Sequence, residues 1–249
     1  MKPGEEPPDA SGTSRSALKL DLDHDLEALR GASIQLLAGL ACAVSLLILF
    51  AWLAEEVFEG DLQPLDLRVR TMVHAYSNPQ LTRIMQALTF LGSTGFLSVL
   101  FTILIIVFLA RGLKRPAIWL AVAVGGSVVL DISLKLAFHR ARPVPFFGPA
   151  PLTYSYPSGH ALSSLCFYGV LAGLFCAQIQ SRAARLLAWF VTVALVAGIG
   201  LSRIYLGVHY PTDVAAGYLA GAIWVSTLLF AARAHQREPK HPNGRVSED

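Results

Sequence analysis

PAIWLAVAVGGSVVLDISLKLA, residues 116–137, carries only two ionisable side chains, Asp131 and Lys135. A helix that crosses the hydrocarbon core of a bilayer needs roughly 20 mostly apolar residues, and this stretch meets that length. Five more stretches share its character: 34–54, 95–110, 158–177, 184–201 and 210–232. The whole chain agrees, with 54% hydrophobic and 15% charged residues and a mean hydropathy of +0.52. A soluble domain of similar length carries about 25% charged residues. The expected fold is all-α, an integral membrane bundle of six transmembrane helices. A net charge of +3 without a basic run among aromatics excludes a nucleic-acid partner. Cys42, Cys166 and Cys176 all fall inside apolar spans and read as small core residues, not as a disulfide framework or a metal site.

Outward from these spans, the chain divides into a tail over 1–30, a six-span domain over 31–235 and a second tail over 236–249. Residues 1–15 are rich in Pro, Gly, Ser and acid, a composition that does not fold. Leu18, Leu22, Leu26 and Leu29 then recur at helical spacing, as in an interfacial amphipathic helix or a solvated extension of the first span. The first apolar stretch begins too late and runs too long for a cleaved leader, so it reads as a retained anchor. A polar connection over 55–94 separates the first two spans and holds two weakly amphipathic segments, 65–73 and 81–91. In the second, Ile84, Met85, Leu88 and Leu91 share one helical face.

Lys and Arg accumulate on the cytoplasmic side of membrane proteins. Here they gather in the two tails, in Arg111, Lys114 and Arg115, and in Arg182 and Arg185, which six spans place on one side. Both termini are therefore expected in the cytoplasm. The polar clusters that interrupt the spans then face the opposite side.

Those clusters are Lys135 to Arg142-Pro143, Pro157-Ser158-Gly159-His160, and Ser202-Arg203 with His209 and Asp213. Ionisable groups at span ends are expensive to bury and mark function by default. Asp131 and Lys135 lie one turn apart on one face, and Arg142 adds a planar fork of donors that suits phosphate oxygens. Ser158 reads as an N-cap, which leaves Gly159 and His160 in a first helical turn whose free amides favour an anion. Asp213 follows His209 at i+4, where a carboxylate can fix the imidazole tautomer and leave the other nitrogen free as nucleophile or base. Each cluster alone is also compatible with an ordinary ion pair, helix start or cap.

Taken together, Lys135-x6-Arg142-Pro143, Pro157-Ser158-Gly159-His160 and Ser202-Arg203-x5-His209-x3-Asp213 resemble the three-part signature of the type 2 phosphatidic acid phosphatase family. All motif positions are present and in order. By that resemblance His209 is the nucleophile that becomes a phosphohistidine, and Asp213 orients it. His160 protonates the leaving oxygen and then activates water. Lys135, Arg142 and Arg203 bind the phosphoryl oxygens, with Ser158 and the Gly159 amide. His139 and Arg140 stand at variable positions and are left out of the expected site.

Phosphoryl transfer needs in-line positioning and neutralised oxygens, which fixed cations can supply. No cofactor and no metal are expected. The resemblance implies a lipid phosphate as substrate: phosphatidic acid, phosphatidylglycerol phosphate or undecaprenyl diphosphate. It also implies a bacterial inner membrane, with the site on the periplasmic or extracellular face. Two alternatives stay open, a lipid phosphotransferase using the same phosphohistidine and a non-catalytic lipid-binding membrane protein. A vanadium-haloperoxidase-like anion site is a further resemblance, disfavoured because those enzymes are soluble.

Overall fold

The computed structural model describes residues 37–149 and 151–236, and among these every regular element is an α-helix. The expectations for residues 1–30 and for the second tail from 237 on lie outside the described residues. Among the described residues eight helices follow in chain order: α1 Leu37–Glu59, α2 Gln63–Ala75, α3 Pro79–Leu91, α4 Thr94–Ala110, α5 Lys114–Phe138, α6 Gly159–Cys176, α7 Arg182–Tyr205 and α8 Pro211–Gln236. Residues 43–236 form one compact unit.

Five helices (α1, α5, α6, α7 and α8) are long and apolar enough to cross a membrane. α4 has 17 residues. At 1.5 Å per residue it falls short of the roughly 30 Å core. It reaches spanning length only with α3, from which it is bent by 47°. The expected span over 95–110 thus corresponds to α4, and the second amphipathic segment is α3, joined to it at that bend. Large apolar side chains such as Ile48, Ile103, Ile132, Phe190 and Val193 are exposed along these helices. So much outward apolar surface is explained by lipid as the solvent, and the protein is integral to a membrane.

Helix ends differ from the apolar windows for one reason. Hydropathy falls where charge begins, whereas backbone hydrogen bonding continues. α7 thus extends beyond Leu201 and carries Ser202 and Arg203 in its last turn.

Close interhelix packing here uses a glycine. A Cβ on Gly126 of α5 would overlap the ring of Trp224 on α8, whose Nε1 donates to the Ala123 carbonyl at 3.0 Å. Gly126→Ala is expected to displace the indole and break that bond, destabilising the fold by about 1–3 kcal/mol. Thermal unfolding in detergent checks this through a lowered midpoint.

α2 and α3 pack back over the end of the bundle. Met85 of α3 lies in a cluster with Tyr205, Leu206 and Val208, and Leu88 packs against it. α2 behaves contrary to its pattern. Asp66 and Arg70 are its buried residues, while Leu65, Leu67 and Met72 are exposed. Its polar face turns inward because partners wait there. Arg70 donates to the carbonyls of Val144 at 2.7 Å and Gly207 at 3.0 Å, and its guanidinium lies 4.5 Å from the Phe146 ring centre.

Candidate active site

Four helix ends meet at one end of the bundle: the C-termini of α5 and α7 and the N-termini of α6 and α8. Backbone hydrogen bonds lace the motif segments together. The Ser155 amide donates to the Arg140 carbonyl at 2.8 Å, and the Ser158 amide donates to the Asp213 carbonyl at 2.8 Å. The first bond joins the segment after α5 to the one before α6. The second ties the start of α6 to the start of α8.

Between these ends lies a cavity of about 820 Å³ whose wall includes Lys135, Arg142, Gly159, His160, Arg203 and His209. Six of the eight residues singled out from sequence thus share one cup. The other two stand behind it. Asp213 is fully buried against His209, and Ser158 is fully buried with an Oγ that has no partner. Ser158 does occupy the N-cap position of α6, but its side chain makes no capping bond. The first-turn amides of α6 are therefore without a side-chain acceptor, as a site for an anion requires.

Lys135 and Asp131 form the expected i,i+4 ion pair on α5. Gly159 fits closely over it. A Cβ there would lie 2.7 Å from Asp131 Oδ1 and 3.0 Å from Lys135 Nζ. Only glycine lets the α6 N-terminus come this near the Lys135 ammonium. Arg203 reaches the cup from α7 and donates through one terminal nitrogen to Thr89 Oγ1 at 2.5 Å, while its Nε is buried and unpartnered.

Arg142 is held by three oxygen acceptors: the Thr153 carbonyl at 2.6 Å, Thr153 Oγ1 at 2.8 Å and the Val208 carbonyl at 2.9 Å. The same nitrogen that meets Val208 also lies 2.9 Å from His209 Nε2. A guanidinium can only donate. Nε2 must then be the acceptor, and the ring proton sits on Nδ1, which faces Asp213 Oδ2 at 3.3 Å. Burial pushes the His209 imidazole down to about 4, against the opposing pull of Asp213. At neutral pH the ring is uncharged, with an Nε2 lone pair turned to the cations of the cup.

Several participants were not singled out from sequence. Thr89 on α3 holds Arg203, Ser155 holds Asp213, and Arg140, left out as variable, binds both Asp213 and Asp66 on α2. The only local signal was the pair Asp66 and Arg70, two charges at i,i+4 on a weakly amphipathic helix. His139, also left out, ends α5 in a left-handed conformation and packs edge-on against Tyr154.

A helical bundle exposed to lipid, closed at one end by a cup of cations and two imidazoles, defines a membrane-embedded enzyme that handles phosphate. Residues 116–237 match the PAP2 superfamily. Phosphatidylglycerophosphatase B of Bacillus subtilis is 28% identical over 185 residues, covering 72% of this chain and 89% of that protein. Undecaprenyl-diphosphatase of Sulfolobus acidocaldarius is also 28% identical, over 155 residues that make up 60% of this chain and 70% of that one. The crystal structure of a transmembrane PAP2-type phosphatidylglycerolphosphate phosphatase from Bacillus subtilis superposes with a TM-score of 0.69 at 25% identity, over 80% of this chain and 98% of that one. The chain is accordingly a hydrolase that acts on phosphate ester bonds.

Proposed function

We propose that this protein hydrolyses the terminal phosphate of a membrane lipid through a phosphohistidine on His209. One observation carries the reading: the buried neutral imidazole whose Nε2 lone pair opens toward Arg142 in the cationic cup. His209 Nε2 attacks phosphorus, an N–P bond forms, and the bond to the lipid oxygen breaks. His160 gives a proton to that oxygen. It then takes one from water, whose oxygen attacks phosphorus and releases inorganic phosphate and the free imidazole. Asp213 offsets the positive charge that develops on the ring. Lys135, Arg142 and Arg203 neutralise the phosphoryl oxygens with the Gly159 amide, and Ser158 lies one residue behind as a further donor.

Among the described residues no three His, Cys, Asp or Glu side chains gather as metal ligands would. The proposed reaction needs none, because fixed cations take the role that divalent ions fill elsewhere.

Six spans, counting α3 and α4 as one, put Arg111, Lys114, Arg115, Arg182 and Arg185 at the end away from the cup. The positive-inside bias makes that end cytoplasmic and turns the cup to the outer face of a bacterial inner membrane. A phosphate at headgroup level can enter there while its tail stays in the bilayer. The names of the relatives support a glycerophospholipid phosphate or a polyprenyl diphosphate.

The test is phosphate release by the purified full chain from phosphatidylglycerol phosphate, phosphatidate and undecaprenyl diphosphate, each with and without EDTA. Turnover of at least one lipid, unchanged by EDTA, is expected. Abolition by EDTA with rescue by magnesium refutes metal independence. Label moving to an added lipid rather than to water makes the protein a phosphotransferase. Release from the outer leaflet of intact spheroplasts, and its absence with inverted vesicles, checks the orientation.

A further inference from the structure

Asp66 has no exposed atom and sits on α2, none of whose residues lines the cup. It cannot touch substrate, yet it is connected to the nucleophile. Its Oδ1 accepts from the Thr212 amide at 3.0 Å, and its Oδ2 accepts from Thr212 Oγ1 at 2.6 Å and from Arg140 at 2.8 Å. The Thr212 amide is one of the first in α8, which have no partner within their own helix. Asp66 therefore caps, from a distant part of the chain, the helix that presents Asp213.

Arg140 extends the connection. One terminal nitrogen binds Asp66, and the other donates to Asp213 Oδ1 at 2.6 Å and to Thr212 Oγ1 at 2.8 Å. Its guanidinium lies 4.2 Å from the centre of the Tyr210 ring. A planar fork gripping two carboxylates fixes the angle of each, which a lysine point charge does not do. Arg140 also stands between two buried negative charges that would otherwise resist being ionised together. With Oδ1 of Asp213 taken, Oδ2 is the oxygen left for His209 Nδ1.

We propose that Asp66 and Arg140 are positioning residues of the hydrolysis. Asp66 aims Arg140, Arg140 sets the rotation of Asp213, and Asp213 sets the tautomer of His209. This rests on the reading of His209 as nucleophile. It makes the polar connection between α1 and α4 part of the catalytic apparatus.

The experiment compares Asp66→Asn, Arg140→Met, the double variant and Thr212→Val with the parent and with His209→Ala. The probe is phosphatidylglycerol phosphate in detergent micelles, with rates normalised to folded protein. Asp66→Asn and Arg140→Met are expected to lower kcat roughly 10- to 100-fold with KM within about twofold, because misalignment affects the step and not the binding. The double variant should be no slower than Arg140→Met, since the two act in series. Thr212→Val, which removes one hydroxyl and keeps the amide, should lower kcat, though less than Arg140→Met; if Asp66→Asn does not fold, parent-like kcat in folded Thr212→Val and Arg140→Met overturns the positioning role. Parent-like kcat in Asp66→Asn, with His209→Ala inactive, overturns the positioning role and leaves the nucleophile intact. An active His209→Ala removes the nucleophile itself. A raised KM with unchanged kcat in Arg140→Met overturns the proposal, because it makes Arg140 a phosphate ligand.

Discussion

His209→Ala is expected to lower phosphate release by at least about 10⁴-fold, because no other group on the cup can replace a covalent nucleophile. His160 shares the wall but has no carboxylate paired with it to fix its tautomer, and Asp213 is engaged with His209, Arg140, Ser155 and the Tyr210 amide. The ring is already neutral when burial holds it near 4. Its contribution to kcat/KM should therefore persist as pH falls below neutrality and disappear only as pH passes through about 4. The sign follows from protonation, which removes the lone pair that attacks. A rapid quench with ³²P-labelled lipid should trap an acid-labile, base-stable phosphoenzyme in the parent and none in the variant. Parent-like turnover by His209→Ala, with the protein folded, would sink the covalent reading.

Much of this site was legible because its chemistry interrupts hydrophobic spans. Charge within apolar sequence stands out locally, and the topology of alternating spans brings the interruptions to one end. Lys135, Arg142, His160, Arg203 and His209 were found that way, and all line one cavity. The support behind them was not legible, because its partners are remote. Asp66 meets Arg140 across 74 residues and Thr212 across 146. Local periodicity cannot see such a partner: it shows a weakly amphipathic segment over 65–73, whereas in the fold the polar face of α2 is the buried one. Arg140 stands at a variable position of the motif, and its neighbours in sequence say nothing of the two carboxylates it bridges. α4 shows the converse. Its window is apolar throughout, yet 17 residues are too few to span alone, and the amphipathic segment before it continues it only through a bend of 47°.

Asp213→Asn is expected to be nearly as damaging as loss of His209, although it changes one atom. The carboxylate accepts on both sides: Oδ1 takes Arg140 at 2.6 Å, and Oδ2 takes the Tyr210 amide at 2.8 Å, Ser155 Oγ and His209 Nδ1. An amide has one oxygen and one NH₂. Turned one way, its NH₂ opposes the guanidinium, which can only donate. Turned the other way, it opposes the Tyr210 amide and drives the His209 proton from Nδ1 to Nε2, where it blocks attack on phosphorus. Both orientations set donor against donor in a site without water access, so stability should fall by about 3 kcal/mol. Fixing the wrong tautomer should lower kcat by about 10⁴-fold. The two effects separate experimentally: unfolding in detergent reports the first, and single-turnover phosphoenzyme formation with enzyme in excess reports the second. Substrate affinity should change little, because Asp213 is behind the wall and the cations that hold phosphate remain. If Asp213→Asn forms phosphoenzyme at the parental rate, then the His209 proton is held by something other than this carboxylate.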